Sequence, residues 1–203
     1  MQSRSIERLR FPVAIALAIF LVLLAGFVMS GRADYLDVAL RDVVLALDPP
    51  GAVTVWRVIS FLGSGIVITA LTVLSVVVFA ASSEWRAARQ IALVMAIAAI
   101  LENGLKWLVH RARPAEIFPG TMPSTYSFPS GHALFAFSFY VTIAVIVNRY
   151  LNDPAARVAL WIVVAFLVLL IGVSRIFLGV HYPTDVLGGY AVAAFGISIS
   201  RLK

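Results

Sequence analysis

Three short stretches of the sequence hold side chains of the kinds that bind anions and transfer protons. Residues 106–114 read KWLVHRARP, residues 129–132 read PSGH, and residues 174–185 read SRIFLGVHYPTD. Each stretch borders strongly apolar sequence. A charged side chain in such a place costs several kcal/mol unless it is paired or faces a polar cavity. The sequence therefore predicts functional residues in all three stretches.

Several of these residues suit a phosphate dianion. Lys106, Arg113 and Arg175 are cations: arginine presents a planar fork that matches phosphate oxygens, and lysine supplies a compact positive charge. Ser130 and Gly131 stand where an apolar run begins, so we expect Ser130 to cap a helix and Gly131 to let its backbone approach a ligand. A helix N-terminus attracts anions. The alternative is an ordinary Pro-Ser-Gly helix start.

The spacing of His181 and Asp185 indicates a catalytic pair. They are four residues apart, and Pro183 begins a helix between them. This arrangement can place the carboxylate against one imidazole nitrogen and leave the other free to attack, as in a catalytic dyad. A lone histidine is more often structural. That alternative is weakened here because it leaves His181, Asp185 and Arg175 buried without another purpose.

The composition is that of an integral membrane protein. Of the 203 residues, 62% are hydrophobic and 13% are charged, unlike an ordinary soluble protein. A net charge of +6 is typical of the cytoplasmic loops of membrane proteins, so we expect no nucleic-acid partner. The lack of cysteine excludes disulfides, thiolate metal sites and a cysteine nucleophile. With no internal repeat, residues 1–203 are expected to form a single domain.

Six apolar segments predict a polytopic all-α membrane bundle with six transmembrane helices. The predicted helices cover residues 11–29, 53–81, 87–109, 131–147, 158–175 and 184–200. The first could instead be a cleavable signal peptide, but its apolar run is long for one, which favours a retained helix. The fourth and sixth helices are short for a membrane span.

Polar residues between the spans receive structural interpretations. Within residues 31–51, apolar residues recur at helical spacing and Asp37 falls between them, which predicts an amphipathic helix on the membrane surface. That helix could be a lip over a lipid entrance or a plain linker. Glu102 is four residues before Lys106, so the two are expected to form a neutralising pair. His110 is expected to be a tolerated loop residue. The short loop 115–128 predicts an open mouth, and its sequence is otherwise uninformative about chemistry.

The number of spans places the three polar stretches on one side of the membrane. Lys106 and Arg175 end spans that run outward, whereas His132 and Asp185 begin spans that run inward. Basic residues on the N-terminal side predict cytoplasmic termini. These residues are Arg4, Arg8, Arg10, Arg86, Arg89, Arg149, Arg157, Arg201 and Lys203. The three stretches therefore form one candidate site on the outer face.

The three stretches together resemble the type 2 phosphatidic acid phosphatase superfamily, which includes membrane lipid phosphatases and soluble vanadium haloperoxidases. The pattern of the superfamily is matched at every position. Lysine, six residues and Arg-Pro cover residues 106–114, and Pro-Ser-Gly-His covers residues 129–132. Ser-Arg, five residues, His, three residues and Asp cover residues 174–185. Three motifs in this order and at these spacings are very specific.

The resemblance implies a role for each candidate residue. His181 would be the nucleophile that forms a phosphohistidine, Asp185 would orient it, and His132 would be the general acid. The phosphoryl oxygens would be held by positive charges and backbone N–H groups. The residues that supply them are Lys106, Arg113, Ser130, Gly131 and Arg175. Because Asp185 is committed to His181, we expect no metal and no other cofactor.

The resemblance also predicts the reaction and its surroundings. We expect metal-independent hydrolysis of a phosphomonoester or diphosphate on a membrane lipid. The candidate substrates are undecaprenyl diphosphate and phosphatidylglycerophosphate, then phosphatidic acid and lipid A phosphates. The site would face the outside or periplasm of a bacterial inner membrane, with no obligatory protein partner. One alternative is a vanadium-haloperoxidase-like enzyme, against which six spans argue. The other is a non-enzymatic anion or lipid carrier, against which the complete set of catalytic residue types argues.

Overall fold

Eight helices form the computed structural model, which describes residues 2–47, 51–118 and 122–200, with side chains from residue 11 onward. In chain order they are α1 (Gln2–Met29), α2 (Ala33–Ala46), α3 (Val53–Phe61), α4 (Gly65–Ala81), α5 (Trp85–Val109), α6 (Gly131–Val147), α7 (Pro154–Phe177) and α8 (Pro183–Ile199). The described residues contain no strand, which confirms the predicted all-α class. Arg201, Lys203 and the side chains of Arg4, Arg8 and Arg10, all used to predict the topology, lie outside the described part.

The predicted count of six transmembrane helices is not exact. Within the described residues, four segments are long and apolar enough to cross a membrane: Phe11–Met29, Val53–Ala81, Trp85–Val109 and Pro154–Phe177. Gly131–Val147 is a shorter apolar helix. Both α6 and α8 have 17 residues. They are less apolar at their beginnings because their first turns carry polar residues of the candidate site.

The predicted span over residues 53–81 is long and apolar enough to cross a membrane, but it consists of two helices and not one. The chain leaves the helical path after Phe61, and α4 begins at Gly65. Ser64 caps α4 by accepting a hydrogen bond of 3.3 Å from the amide of Val67. A Cβ atom on Gly63 would lie 2.4 Å from the side chain of Ile171 in α7. The break therefore allows α3 and α7 to approach closely.

Helices α6 and α8 pack against each other at the centre of the bundle. Helix α1 packs along α8, and α5 and α7 flank α6. The amide of Ser130, at the start of α6, donates a hydrogen bond of 3.0 Å to the carbonyl oxygen of Asp185 in the first turn of α8. A Cβ atom on Gly189 would lie only 2.7 Å from the carbonyl oxygen of Ser130. Glycine at position 189 thus allows the contact that joins two of the three polar stretches.

The helix predicted within residues 31–51 is present as α2, and its buried side contains a carboxylate. Asp37 is completely buried against the protein. Leu36, Leu40 and Val43 are instead exposed, so this apolar face of α2 points away from the rest of the chain. An amphipathic helix with this orientation suits a lipid surface on its outer side. Its polar side contacts the candidate site.

The close approach of α6 and α8 can be tested at Gly189. We expect Gly189→Ala to lower the free energy of unfolding by about 1–3 kcal/mol, because the new methyl group would overlap the backbone of Ser130. Gly104→Ala is the matched control, since a Cβ atom there meets nothing within 4 Å. We expect the control to be neutral or to stabilise by up to about 1 kcal/mol. Thermal unfolding of both variants in one detergent measures the difference. Equal melting temperatures would contradict the close packing.

Candidate active site

Four helix ends meet at one end of the bundle and bring the three polar stretches together. Lys106 lies in the last turn of α5, and Arg175 lies in the last turn of α7. His132 lies in the first turn of α6, and Asp185 lies in the first turn of α8. Arg113 lies in the segment that follows α5 and reaches the loop between α7 and α8. The residues predicted from sequence therefore share one site.

His181 is buried, and its two ring nitrogens face opposite charges. Its Nδ1 atom lies 3.4 Å from Oδ2 of Asp185, and its Nε2 atom lies 3.1 Å from a guanidinium nitrogen of Arg113. An N–H of Arg113 can only donate, so Nε2 accepts and the ring proton belongs on Nδ1. Burial, with a smaller effect of two nearby arginines, outweighs the Asp185 carboxylate and lowers the pKa of His181 to about 4. The imidazole is therefore neutral at pH 7, with the Nε2 lone pair directed toward Arg113.

Asp185 is completely buried and held by more partners than its histidine. Its Oδ1 atom accepts a hydrogen bond of 2.8 Å from Arg111. Its Oδ2 atom accepts hydrogen bonds from the hydroxyl of Ser127 and, at 2.9 Å, from the amide of Tyr182. The contact to His181 is the longest of the four. The carboxylate is thus fixed independently of the imidazole that it orients.

Sequence analysis missed Arg111 and Ser127 as parts of this site. Arg111 was not among the candidate residues, although it stands only two residues before Arg113. The sequence of loop 115–128 was uninformative about chemistry, and the structure shows that Thr125 and Ser127 bond to site residues. Residues 119–121 of this loop lie outside the described part. Serine and threonine are common in loops, so sequence alone gave no signal for these two.

Arg113 uses its whole guanidinium group within the protein. Its Nε–H donates to the carbonyl oxygen of Thr125 at 2.7 Å. One terminal nitrogen bonds the carbonyl oxygen of Val180 at 2.8 Å and His181 at 3.1 Å. The other contacts the Thr125 hydroxyl at 3.1 Å and the carbonyl oxygen of Tyr126 at 3.2 Å. All five N–H groups of the arginine therefore have acceptors, and an anion has to replace at least one of them.

Lys106 and Arg175 differ in how their charges are compensated. Lys106 lies 3.1 Å from Glu102 and 3.1 Å from the hydroxyl of Thr125, which gives the predicted pair with Glu102. Arg175 donates to the hydroxyl of Ser60, a buried residue of α3. Its Nε atom is buried, and no hydrogen-bond partner lies within the described residues. A buried guanidinium with a neutral partner favours an anion beside it.

The beginning of α6 is arranged differently from a capped helix start. Ser130 occupies the N-cap position as predicted, but its hydroxyl makes no capping bond. That hydroxyl is buried and has no partner in the described part of the chain, while the Ser130 amide bonds Asp185. Gly131 faces Glu102, because a Cβ atom at position 131 would lie 2.6 Å from a Glu102 carboxylate oxygen. His132 follows and experiences the positive charges of Arg175, Arg113 and Lys106.

The unpaired atoms and charges indicate what the site can hold. Buried polar atoms in folded proteins nearly always have a partner, so the Ser130 hydroxyl and Nε of Arg175 suggest a missing acceptor. An oxyanion with several oxygen atoms supplies acceptors for both and balances the cations around His132. Within the described residues, no group of three or more His, Asp or Glu side chains is placed to hold a metal ion. The geometry therefore favours direct binding of an anion such as phosphate.

Comparisons with known proteins agree with this geometry. The model of the PAP2 superfamily matches residues 87–202, which include all three polar stretches. Phosphatidylglycerophosphatase B of Bacillus subtilis is 28% identical over 180 residues, covering 88% of each protein. Undecaprenyl-diphosphatase of Sulfolobus acidocaldarius is 29% identical over 104 residues, covering 49% of this chain and 46% of that protein.

The fold agrees as well. The crystal structure of a transmembrane PAP2-type phosphatidylglycerolphosphate phosphatase from Bacillus subtilis superposes with a TM-score of 0.80. Its sequence is 26% identical, and the match covers 93% of this chain and 94% of that one. The apolar helices and the membrane relatives make this a multi-pass membrane protein. With the family model spanning more than half of its length and all three motifs, the chain belongs to the PAP2 superfamily.

Proposed function

We propose that this chain hydrolyses a phosphomonoester or diphosphate of a membrane lipid through a phosphohistidine at His181, releasing inorganic phosphate. Membership of the PAP2 superfamily and the phosphatases among its relatives support the general activity of a lipid phosphate hydrolase. The observation that carries the mechanism is the orientation of the buried His181 ring. Its Nδ1 atom faces Asp185, and its Nε2 atom faces the cation that would hold the phosphoryl group.

In the first step, Nε2 of His181 attacks phosphorus and forms an N–P bond while the bond to the leaving oxygen breaks. The imidazole becomes positively charged, and the Asp185 carboxylate stabilises that charge through Nδ1–H. The terminal nitrogen of Arg113 that contacts Nε2 would exchange this contact for a phosphoryl oxygen. His132 would donate its proton to the leaving oxygen. Lys106 and Arg175 would stabilise the charge that develops on the other oxygens.

In the second step, water attacks the phosphohistidine. His132, now without its proton, would accept a proton from the attacking water, so one imidazole acts first as acid and then as base. The N–P bond breaks, inorganic phosphate leaves, and His181 returns to its neutral form. The unpaired hydroxyl of Ser130 and Nε of Arg175 would bond phosphoryl oxygens throughout, which would account for their lack of a protein partner.

Phosphatidylglycerophosphate is the first candidate substrate. The similarity to phosphatidylglycerophosphatase B of Bacillus subtilis extends over nearly the whole chain, whereas the similarity to the undecaprenyl-diphosphatase covers about half of it. Undecaprenyl diphosphate is therefore the second candidate. Both present a phosphate at the membrane surface while their tails remain in the bilayer. A site at the ends of apolar helices suits such a substrate.

The site would face the outer side of a bacterial inner membrane. Arg86 and Arg89 lie near the start of α5. Arg149 follows the end of α6, and Arg157 lies near the start of α7. These positions are at the end of the bundle opposite to the site. Basic connections of membrane proteins are enriched on the cytoplasmic side, which supports this orientation.

The function is tested by phosphate release from a panel of lipid phosphates, with His181→Ala as the blank. We expect the wild-type protein to release phosphate from at least one lipid, with phosphatidylglycerophosphate hydrolysed fastest. Removing the nucleophile should reduce turnover at least about a thousandfold. The variant must retain the melting temperature of the wild type for the comparison to count. A well-folded variant with substantial turnover would refute His181 as the nucleophile.

Activity is expected to persist in excess EDTA. Side-chain cations, and not a metal ion, would neutralise the phosphoryl oxygens, and the described residues offer no cluster of metal ligands. Phosphate release should therefore be equal in EDTA and in added magnesium, once any effect of magnesium on the lipid aggregates has been controlled with a fixed detergent ratio. Complete loss of turnover in EDTA, restored by magnesium, would contradict the proposed mechanism.

A further inference from the structure

Arg111 connects helix α2 to the carboxylate that orients His181. One terminal nitrogen of its guanidinium donates to Oδ1 of Asp185 at 2.8 Å and to the hydroxyl of Thr184 at 2.7 Å. The other donates to Oδ2 of Asp37 at 2.6 Å. Its side chain is only 8% exposed, and both carboxylates are fully buried. The guanidinium is thus fixed at both of its terminal nitrogens.

Asp37 is a buried carboxylate that the proposed mechanism does not use. It lies on α2, and Thr184 donates two further hydrogen bonds to it: 2.9 Å from the amide to Oδ1 and 2.6 Å from the hydroxyl to Oδ2. A carboxylate withdrawn from water is costly unless it is paired and hydrogen-bonded, and Asp37 meets both conditions. Its two partners, Arg111 and Thr184, both adjoin Asp185.

The exposed neighbour on α2 does not share this arrangement. Asp34 also approaches Arg111, but at 3.3 Å, and its side chain is 67% exposed. Exposed ion pairs of this kind contribute little. In contrast, the negative charges of Asp185 and Asp37 outweigh the effect of burial and raise the pKa of Arg111 above its ordinary value. Arg111 is therefore a permanent cation between two buried carboxylates.

We propose that Asp37 and Arg111 are positioning residues for the nucleophile: Asp37 fixes the Arg111 guanidinium, which holds Oδ1 of Asp185 and so directs Oδ2 toward His181. The proposal rests on the proposed role of His181 as nucleophile. It also gives α2 a role other than a lip over a lipid entrance or a linker. Asp37 of this helix begins the series of contacts that runs through Arg111 to Asp185. The planar guanidinium matters here, since two fixed nitrogens determine its orientation and a single ammonium group does not.

A positioning role predicts a specific kinetic pattern for Asp37→Asn. A small displacement of Asp185 and His181 should lower kcat by about 10- to 100-fold, because misplacement of a reacting group by about 1 Å has effects of this size. The phosphate-binding cations Lys106, Arg113 and Arg175 remain in place. KM and the inhibition constant for inorganic phosphate should therefore stay within about threefold of the wild type, since binding and chemistry separate in this way when only the reacting geometry changes.

Asp42→Asn is the matched control, because Asp42 lies on the same helix and is exposed. The same chemical change there should leave kcat within about twofold of the wild type, as is usual for an exposed position. If Asp37→Asn proves too unstable to purify, Arg111→Ala provides a second test. Added guanidinium ion should then raise the kcat of this variant at least about tenfold, because it replaces the missing planar side-chain group. The same addition should raise the kcat of Arg111→Lys by a smaller factor than that of Arg111→Ala.

The outcomes separate the two levels of the proposal. Reduced kcat with unchanged phosphate inhibition for Asp37→Asn, or guanidinium rescue of Arg111→Ala, supports the positioning role. Three outcomes would overturn the positioning role while the proposed function stands. Asp37→Asn could keep the wild-type kcat, or its kcat and its phosphate inhibition constant could change equally. Guanidinium could also fail to restore the activity of Arg111→Ala. A wild-type protein without phosphatase activity would overturn both.

Discussion

Buried positive charge at one end of the helical bundle is the constraint on which the rest of the structure depends. A buried cation beside apolar helices is unstable unless hydrogen-bond acceptors, a carboxylate or a bound anion compensate it. Arg111 has two buried carboxylates, Asp37 and Asp185, and forms a complete internal cluster. Arg175 has a serine hydroxyl, and its Nε atom has no hydrogen-bond partner within the described residues. In the proposed mechanism, Arg111 therefore shapes the site, whereas Arg175 binds the phosphate.

The same constraint links the helices to the chemistry. The first turns of α6 and α8 approach closely enough for the Ser130 amide to bond the Asp185 carbonyl, and Gly189 makes that approach possible. Asp185 is thereby fixed by backbone and side-chain contacts that do not involve His181. Arg113, in contrast, uses all of its N–H groups in hydrogen bonds to neighbouring groups and to His181. In the proposed mechanism, substrate binding is therefore an exchange of hydrogen-bond partners at a site that already has its shape.

Sequence predicted which candidate residues would meet at one end of the bundle, because the motifs are local and the direction of successive spans brings them to that end. It could not predict partners that depend on tertiary contact. Arg111 and Asp37 are 74 residues apart, and Ser127 and Asp185 are 58 apart. The break between α3 and α4 was also missed, because hydropathy does not change between the two helices. The reason for Gly63 is its contact with α7, which sequence does not show. Ser130 was expected to cap α6, but its hydroxyl makes no capping bond and has no partner in the part of the chain that the structure describes.

The most direct measurement is the location of the covalent intermediate. Wild-type protein turning over a lipid phosphate is quenched in alkali, in which a phosphohistidine persists, then digested and examined by mass spectrometry. The account predicts phosphate on the peptide that contains His181, with the fragment ions placing it on that histidine, and none on the same peptide of a His181→Ala variant. Phosphate on any other residue, or rapid turnover with no covalent phosphate at His181, would contradict it.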